Sequence, residues 1–322
     1  MPLIDSLSYT PPLIFRNHHL HTIYPSLFRR VNGVRFKRER IDTPDGDFID
    51  LDWSRIGSEK LLLAIHGLEG SSRSRYIPGI IRAFQRRGWD GVAYNLRGCS
   101  GELNRTLRFY HSGDTADLDV VVRYILRHHH YTQLAIVGFS LGGNITLKYV
   151  GECGTSVPKE LTHAAAVSAP CDLQSSSWKL AESSNILYMK NFLCHFHRKI
   201  RMKMRQFPGQ ISDERFHQIK NFKDYDDRYT APLHGFASAE DYWAKCSAKP
   251  YLPGIRIPTL LINALDDPFL PEACYPVAEA KQNPHFFLEM PSLGGHVGFV
   301  TQNSRQEYWH ESQITAFMAG CR

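Results

Sequence analysis

Short runs of apolar residues recur along the chain, and most are separated by stretches in which apolar residues follow helical spacing. The runs span residues 61–65, 91–95, 133–137, 163–168, 258–263 and 286–290. Runs of this length with little internal polarity are typical of strands that are buried on both faces. Between them, apolar residues return every three or four positions, as at Ile77, Ile80, Ile81 and Phe84. We therefore predict an α/β fold with a mostly parallel central sheet covered by helices.

Three regions depart from this alternation. Residues 34–55 alternate in polarity around turn residues at 43–47, which predicts an antiparallel pair at the start of the sheet. Residues 171–250 are rich in aromatic and basic side chains and carry helical patches, so we predict a helical cap inserted over the carboxyl edge of the sheet. Near the end of the chain, Ser304 and Glu307 form a capping-box pattern that predicts the start of a closing helix.

The composition fits one large domain over residues 1–322, with 43% hydrophobic and 22% charged residues. No stretch reaches the roughly 18 uncharged apolar residues of a membrane span. Residues 1–5 lack the basic start of a secretory signal. The seven cysteines are scattered and form no C-x-x-C pair, so we expect neither a disulfide framework nor a zinc site, and a cytoplasmic location. The net charge of +6 is mild, and no nucleic-acid-binding module is visible.

Residues 138–142 form the pattern G-x-S-x-G at the junction of a predicted strand and a predicted helix. A serine hydroxyl is a weak nucleophile at neutral pH unless its surroundings activate it. On a tight strand-to-helix turn the hydroxyl is exposed, and the N–H of the next residue faces the reacting oxygen. The sequence therefore predicts Ser140 as a nucleophile and the backbone N–H of Leu141 as an oxyanion donor.

A serine nucleophile needs a base and a group that orients the base. Ligands of open α/β sheets bind beyond the carboxyl ends of the strands, so these groups should follow strands downstream of Ser140. Asp266 and Asp267 follow the predicted strand at 258–263, and His296 follows the last predicted strand in a glycine-rich loop. The order serine, acid, histidine is the order found in α/β-hydrolases.

A second oxyanion donor is expected from the loop at 66–70, which follows an early predicted strand. We predict that the backbone N–H of Leu68 fills this role. His66, in the same loop, is expected to shape the loop rather than to act as a base.

Together these motifs resemble the YheT-like family of α/β-hydrolases, also called the AB hydrolase 4 family. The resemblance is carried by HGLEGSS at 66–72, NLRGCSG at 95–101, GFSLGGN at 138–144, DDPF at 266–269, GGHVGF at 294–299 and NHHLHTIYP at 17–25. It implies Ser140, Asp267 and His296 as charge-relay residues and an esterase-type activity. Asp267 is preferred to Asp266 because it stands four residues before Pro271, the offset at which the acid commonly stands in similar hydrolases. The resemblance leaves the substrate open, since members are similar both to short-chain esterases and to lipid-acting enzymes.

We therefore expect a serine hydrolase that cleaves small-molecule carboxylic esters, acylglycerol and lipid esters among them, without a metal or organic cofactor. An acyltransferase on the same fold, in which an alcohol replaces water, is the alternative. A non-catalytic binding protein is less favoured, because it would lack a member of the catalytic set and none is missing.

Three further features each allow two interpretations. Residues 190–205 contain six Lys or Arg residues and no acid, interleaved with apolar residues. They form either a lid helix whose apolar face closes the pocket or a surface that rests weakly on an anionic membrane. Residues 110–114 either cap the next helix or line the site. Arg97 meets either a buried structural partner or a substrate carboxylate.

Overall fold

The computed structural model describes residues 2–4 and 9–320, and within them one sheet of nine strands dominates. The strands are β1 (Leu3–Ile4), β2 (Lys37–Asp42), β3 (Phe48–Ser54), β4 (Lys60–Ile65), β5 (Asp90–Asn95), β6 (Gln133–Phe139), β7 (Leu161–Val167), β8 (Thr259–Ile262) and β9 (Phe286–Glu289). Their order across the sheet is β1-β9-β8-β7-β6-β4-β5-β3-β2. Strand β3 is antiparallel to β2 and β5, and the other neighbours are parallel. The predicted antiparallel pair and mostly parallel sheet are confirmed. Strand β1 was not predicted, because two residues carry no readable pattern.

Helices cover both faces of this sheet and connect its strands. They are α1 (His18–Phe28), α2 (Tyr76–Gln85), α3 (Thr115–His128), α4 (Leu141–Cys153), α5 (Leu173–Ala181), α6 (Ile186–Gln206), α7 (Phe222–Tyr225), α8 (Ala231–His234), α9 (Ala239–Cys246), α10 (Val277–Gln282) and α11 (Trp309–Met318). Within residues 2–4 and 9–320, no helix combines the length and the apolar character that crossing a bilayer requires.

The predicted capping box at Ser304 is wrong. Residues 304 and 305 lie in a turn, and the closing helix α11 begins at Trp309. The Glu311 side chain accepts a hydrogen bond from the Tyr308 N–H at 2.9 Å and so caps the helix one turn later. The predicted closing helix itself is present, and it buries Ile314, Phe317 and Met318.

Alternate residues of the central strands face opposite sides of the sheet, which explains their continuous apolar runs. In β4, Leu61, Leu63 and Ile65 pack in the cluster that includes α3 and α4. Leu62 and Ala64 pack in the cluster that includes α2 and α11. All five are fully buried. A strand covered on both faces has no polar side to alternate with.

Helices α5 to α9, which we call the inserted helices, occupy the connection between β7 and β8. They fall in the stretch where the sequence shows no strand–helix alternation. A π-helical turn (Asp226–Thr230) joins α7 to α8. Their own core is aromatic and includes Phe196, Tyr225 and Tyr229, packed against Phe109 from the connection between β5 and α3. The inserted helices are thus anchored on the sheet domain at its carboxyl edge, where β6 leads into Ser140.

Candidate active site

Ser140 occupies the sharp turn between β6 and α4. Its backbone has φ +52° and ψ −119°, a sparsely populated conformation for a residue with a side chain. The Ser140 N–H donates to Val167 O on the neighbouring strand at 2.8 Å, which helps to hold the turn. A Cβ atom at Gly142 would lie 2.5 Å from His66 O, so only glycine lets α4 approach the β4 end this closely. The turn therefore has the strained geometry of a nucleophile elbow, with Ser140 partly buried.

His296 lies beside Ser140, in the loop that follows β9. Its Nε2 atom is 2.9 Å from Ser140 Oγ, and its Nδ1 atom is 2.9 Å from Asp267 Oδ2 and 3.1 Å from Oδ1. Asp267 is buried in the turn after β8, and its Oδ1 also accepts the Phe269 N–H at 2.9 Å. The structure thus brings the three sequence-predicted residues into one hydrogen-bonded chain, with the imidazole between the hydroxyl and the carboxylate.

Asp266 has a different environment from its neighbour. Its Oδ1 accepts the Gly295 N–H at 2.9 Å, so it helps to hold the loop that carries His296, which we call the histidine loop. Its Oδ2 is buried without a hydrogen-bond partner among the described residues. Burial raises the pKa of Asp266 despite the Gly295 N–H, and the nearby charge of Asp267 raises it further. Of the two acids that the sequence offers, Asp267 is the one in contact with the imidazole.

Helix α1 holds the histidine loop in place. Thr22 Oγ1 accepts the His296 N–H at 2.9 Å, and His21 Nε2 accepts the Val300 N–H at 2.9 Å. Burial lowers the pKa of His21 to about 4, so its ring is neutral at pH 7 and free to accept. Ser168 Oγ, at the end of β7, accepts the Val297 N–H at 2.9 Å. Sequence reasoning missed these positioning contacts, although residues 17–25 were already part of the family resemblance.

The two predicted oxyanion donors lie on either side of Ser140. Leu141 is the first residue of α4, where backbone N–H groups have no acceptor within the helix. In the loop after β4, Gly67 N–H donates to Tyr76 Oη at 3.0 Å and Glu69 N–H to Tyr110 Oη at 2.9 Å. Between them, the Leu68 N–H has no acceptor among the described residues. A Cβ atom on Gly67 would lie 3.0 Å from Ser140 Cβ, so this loop abuts the elbow.

A buried network fixes the loop that contains Leu68. Glu69, whose φ is +55°, accepts hydrogen bonds at its Oε1 from Tyr110 Oη at 2.8 Å and from Lys199 Nζ at 2.8 Å. Lys199 belongs to α6, and its side chain also contacts Cys99 Sγ at 3.2 Å. The network joins the inserted helices to the loop beside the nucleophile. No sequence signal identified it, because the partners are separated by up to 130 residues.

A cavity of about 120 Å³ opens from Ser140 and His296 beneath the inserted helices. Its wall is mainly apolar and aromatic, formed among others by Leu173, Leu180, Phe192, Phe196, Tyr225 and Phe269. His111 and His234 also line it, and burial lowers the pKa of each to about 3, so both are uncharged. A second cavity, on the α1 side, shares Ser140 and His296 with the first.

Asp226 is the buried carboxyl group in the wall of the first cavity. It accepts hydrogen bonds from Trp243 Nε1 at 2.8 Å and Thr230 Oγ1 at 2.6 Å. Burial outweighs these bonds and raises its pKa from 3.8 to about 7. The folded protein therefore favours the protonated acid. The resulting contribution to the free energy of unfolding is complete below pH about 4 and is lost as the pH rises through about 7.

We expect Asp226→Asn to flatten this pH dependence of stability. The amide oxygen can accept from Trp243 and the amide nitrogen can donate to the Thr230 hydroxyl, so both bonds survive. Between pH 5 and pH 8, the melting temperature of the parent should fall by roughly 3 °C more than that of the variant. Melting curves at both pH values measure this difference. Equal slopes for the two proteins would show that Asp226 does not titrate in this range.

Other residues that the sequence singled out have structural partners. Arg97 is buried and its guanidinium binds Asp45, Asp47 and Asp117, which favours the structural interpretation over a substrate contact. His66 is buried, with its Nε2 accepting the Leu96 N–H at 3.1 Å, so it shapes the loop as expected. Residues 110–112 line the cavity, and Asp114 precedes α3 but binds Arg108 rather than capping the helix.

The side chains of α6 divide between the protein interior and its surface. Phe192, Phe196 and Lys199 line the first cavity. Lys203 is buried and donates to the carbonyl oxygen of Asn104 at 2.9 Å. Lys190, Arg198, Arg201 and Arg205 remain exposed. The apolar face of this helix thus covers the cavity, as the lid-helix interpretation requires.

The described part of the chain, residues 2–4 and 9–320, contains no group of three or more His, Cys, Asp or Glu side chains placed to hold a metal ion. Its six cysteines are free thiols, and Cys321 lies outside the described residues.

A parallel sheet with a serine elbow, an acid after β8 and a histidine after β9 defines an α/β-hydrolase. A model of the alpha/beta hydrolase fold family matches residues 60–302, and the chain belongs to this family. Over 96% of its length the chain is also 37% identical to "Putative esterase YheT" of Escherichia coli strain K12, of which it covers 92%. The resemblance to YheT-like hydrolases is thereby confirmed.

Two further proteins extend the comparison. The chain is 30% identical to human "Phospholipase ABHD3" over 83% of its own length and 67% of that protein. Its structure superposes on an esterase from Pyrococcus furiosus with a TM-score of 0.60, covering 91% of this chain and 96% of the other. The two sequences are 17% identical, so this similarity concerns the fold.

Proposed function

We propose that this chain is a serine hydrolase that cleaves carboxylic esters through Ser140, His296 and Asp267. The observation that carries the proposal is the hydrogen-bonded chain from Ser140 Oγ through the imidazole to Asp267, with a 2.9 Å contact on each side. A base within hydrogen-bond reach of the hydroxyl, itself oriented by a buried carboxylate, is the arrangement that activates a serine.

The reaction proceeds in two half-reactions. Ser140 Oγ bonds to the ester carbonyl carbon while His296 Nε2 takes the hydroxyl proton, and Asp267 stabilises the imidazolium through Nδ1–H. The N–H groups of Leu68 and Leu141 donate to the oxyanion. The bond between the carbonyl carbon and the alcohol oxygen then breaks, His296 gives its proton to the leaving alcohol, and the acyl group stays on Ser140. Water attacks the acyl carbon as His296 takes one of its protons, and that proton returns to Ser140 when the acid leaves.

The apolar cavity beneath the inserted helices supports an acyl chain as the group held during acylation. Its walls are mainly hydrocarbon and aromatic rings, the two histidines in them are uncharged, and Lys199 is paired with Glu69. Relatives named as an esterase and a phospholipase support the same class of substrate. We place the activity in the cytoplasm, a proposal supported by the free thiols of the described cysteines.

The experiment that tests this function is a chain-length series of nitrophenyl esters, with rates of nitrophenol release and analysis of the second product. Release of the free acid supports a hydrolase. Transfer of the acyl group to an added alcohol in preference to water would identify the acyltransferase alternative instead. Absence of turnover for every chain length would contradict both.

Lys199 should affect catalysis although it lies across the cavity from the reacting atoms. Its bond to Glu69 fixes the loop that carries the Leu68 N–H, and the loss of one oxyanion donor typically costs about 10²- to 10³-fold in kcat. We expect Lys199→Met to lower kcat by roughly tenfold or more, which is less than the loss of a donor, because the Leu68 N–H is displaced rather than removed. KM should change little, since the oxyanion forms only after the substrate has bound. Steady-state kinetics with a soluble ester measures the split.

Two further variants separate positioning from general damage. Lys199→Arg can still donate to Glu69 and should recover part of the lost kcat. Lys190→Met removes an exposed cation from the same helix and should leave kcat unchanged. If Lys199→Met kept the parent kcat, or if Lys190→Met lowered it equally, the network would have no special role.

A further inference from the structure

Helix α1 has its apolar side chains on the outside of the molecule. Leu20, Ile23, Tyr24, Leu27 and Phe28 follow the i, i+3, i+4, i+7, i+8 spacing of one helix face, and they are between 38% and 63% exposed. The buried residues of α1, His21 and Pro25, lie outside this stripe. Surface helices normally direct the apolar stripe inward, so an outward stripe of this size indicates a surface that meets another apolar phase.

This stripe, which we call the α1 face, borders an opening to the catalytic residues. The second cavity runs from Ser140 and His296 outward between α1, which contributes Ile23, and the loop that carries Arg73 and Arg75. Helix α6 contributes Tyr188 and Phe192 to this cavity, and Leu187, next to Tyr188, is 76% exposed. The His19 ring bonds the Tyr188 hydroxyl at 3.1 Å and holds this part of α6 against α1.

The chain segments around the opening carry positive charge without acids. Residues 9–35, 70–79 and 183–192 contain no Asp or Glu, and of their arginines Arg29 is paired with Glu311. Arg30 and Arg75 are exposed and border one surface groove together with Leu27 and Phe28. An apolar stripe flanked by arginines matches a lipid surface with anionic headgroups, since the side chains reach the acyl boundary while the cations meet the phosphates.

We infer that the α1 face docks this protein on an anionic lipid surface. Contact there places the second cavity against the lipid, so an ester can pass to Ser140 without crossing water. A second copy of the chain fits less well, because a two-fold contact through this face would bring the arginines of both copies together. Docking itself does not depend on ester hydrolysis. Only the passage of an ester to Ser140 rests on the proposed function.

The α1 face is a different surface from the basic segment 190–205. That segment lies wholly within the described residues, and Met202 is its one large apolar side chain with more than a third of its surface exposed. Lys199 and Lys203 point inward, to Glu69 and to backbone carbonyl groups. Four exposed cations remain there, and within the segment Met202 alone adds a large exposed apolar side chain, so we expect a weaker and mainly electrostatic contact.

The test is flotation of the full chain with phosphatidylcholine vesicles, with and without phosphatidylglycerol. Every variant carries Ser140→Ala, so binding is scored without turnover. The combined variant Leu20→Gln, Leu27→Gln, Phe28→Gln should bind anionic vesicles at least about tenfold more weakly. Ile56→Gln, a comparably exposed apolar residue in the β3–β4 connection, is the matched control and should bind as the parent does. Arg30→Glu changes the charge by two units and should weaken anionic binding about thirtyfold, while neutral binding stays unchanged.

The outcomes separate docking from catalysis and from self-association. With Ser140 restored, the combined variant should hydrolyse a soluble short ester at the parent rate, so loss of vesicle binding stands apart from any failure of the proposed function. Equal binding of parent and combined variant would overturn the inference. Failure of the parent to bind anionic vesicles at low salt would also overturn it. So would a parent that forms a dimer and binds no vesicles, if the combined variant is a monomer. Loss of binding only in Arg198→Glu, Arg201→Glu would assign the docking to segment 190–205 instead.

Discussion

Replacing Ser140 with alanine should lower kcat for a soluble nitrophenyl ester by about 10⁴- to 10⁶-fold. The variant lacks the atom that forms the acyl-enzyme, and the remaining oxyanion donors can only assist direct attack by water. KM should change far less, because the cavity walls are untouched. Initial rates over a range of ester concentrations measure both constants, and a melting curve shows whether the fold is retained.

The matched control is Ser177→Ala, which removes a hydroxyl from the wall of the same cavity. It should keep kcat within about threefold of the parent, since Ser177 takes no part in the proton chain. The parent, incubated with a fluorophosphonate, should gain the mass of one phosphonyl group, and the Ser140→Ala protein should not. A folded Ser140→Ala protein with parental turnover would rule out the proposed nucleophile.

Substitution of the two adjacent acids, Asp266 and Asp267, should lower kcat to extents that differ by several orders of magnitude. Asp267→Asn keeps the shape of the side chain but replaces an oxygen acceptor beside His296 Nδ1 and removes the charge that stabilises the imidazolium. We expect a loss of about 10⁴-fold in kcat. Asp266→Asn keeps an oxygen for the Gly295 N–H and relieves a buried carboxyl of its charge, so its kcat should stay within about tenfold of the parent.

Turnover of both variants in the same ester assay decides between the acids. The pair is well matched, since the substitutions are isosteric, adjacent in sequence and both at buried or half-buried sites. If Asp266→Asn abolished turnover while Asp267→Asn did not, the assignment would be reversed. If both lost activity equally, the histidine loop would depend on the whole turn rather than on one carboxylate.

The sheet and the elbow could be predicted because local physics determines them. A strand buried on both faces must be a continuous apolar run, as in β4 and β6, and close packing of α4 against β4 demands glycine at Gly142. The position of His296 after the last strand follows from the order of the chain. Each of these features leaves a mark in the local sequence, an apolar run or a glycine at a fixed spacing, so the residues alone indicate them.

Helix α1 and the acid assignment could not be derived in the same way. The apolar side chains of α1 point outward and its polar residues His21 and Thr22 point inward, where they bind the histidine loop. An amphipathic pattern cannot tell which of its faces is buried, and here the usual rule gives the wrong face. Asp266 and Asp267 differ only in which way the turn directs each side chain, so the sequence needed the family offset to choose between them.

The bond between Thr22 and the His296 backbone joins residues 274 positions apart, and it has a consequence for how the protein acquires its activity. The contacts that hold the elbow at Ser140 come from His66 and Val167, so the elbow can form before β8 and β9 join the sheet. The imidazole reaches its orientation only when α1 meets the loop after β9, which is a long loop closure. Until that contact forms, Ser140 has no correctly oriented base to activate it. We therefore expect hydrolytic activity to appear only when the contact between Thr22 and His296 has formed and the fold around Ser140 is complete.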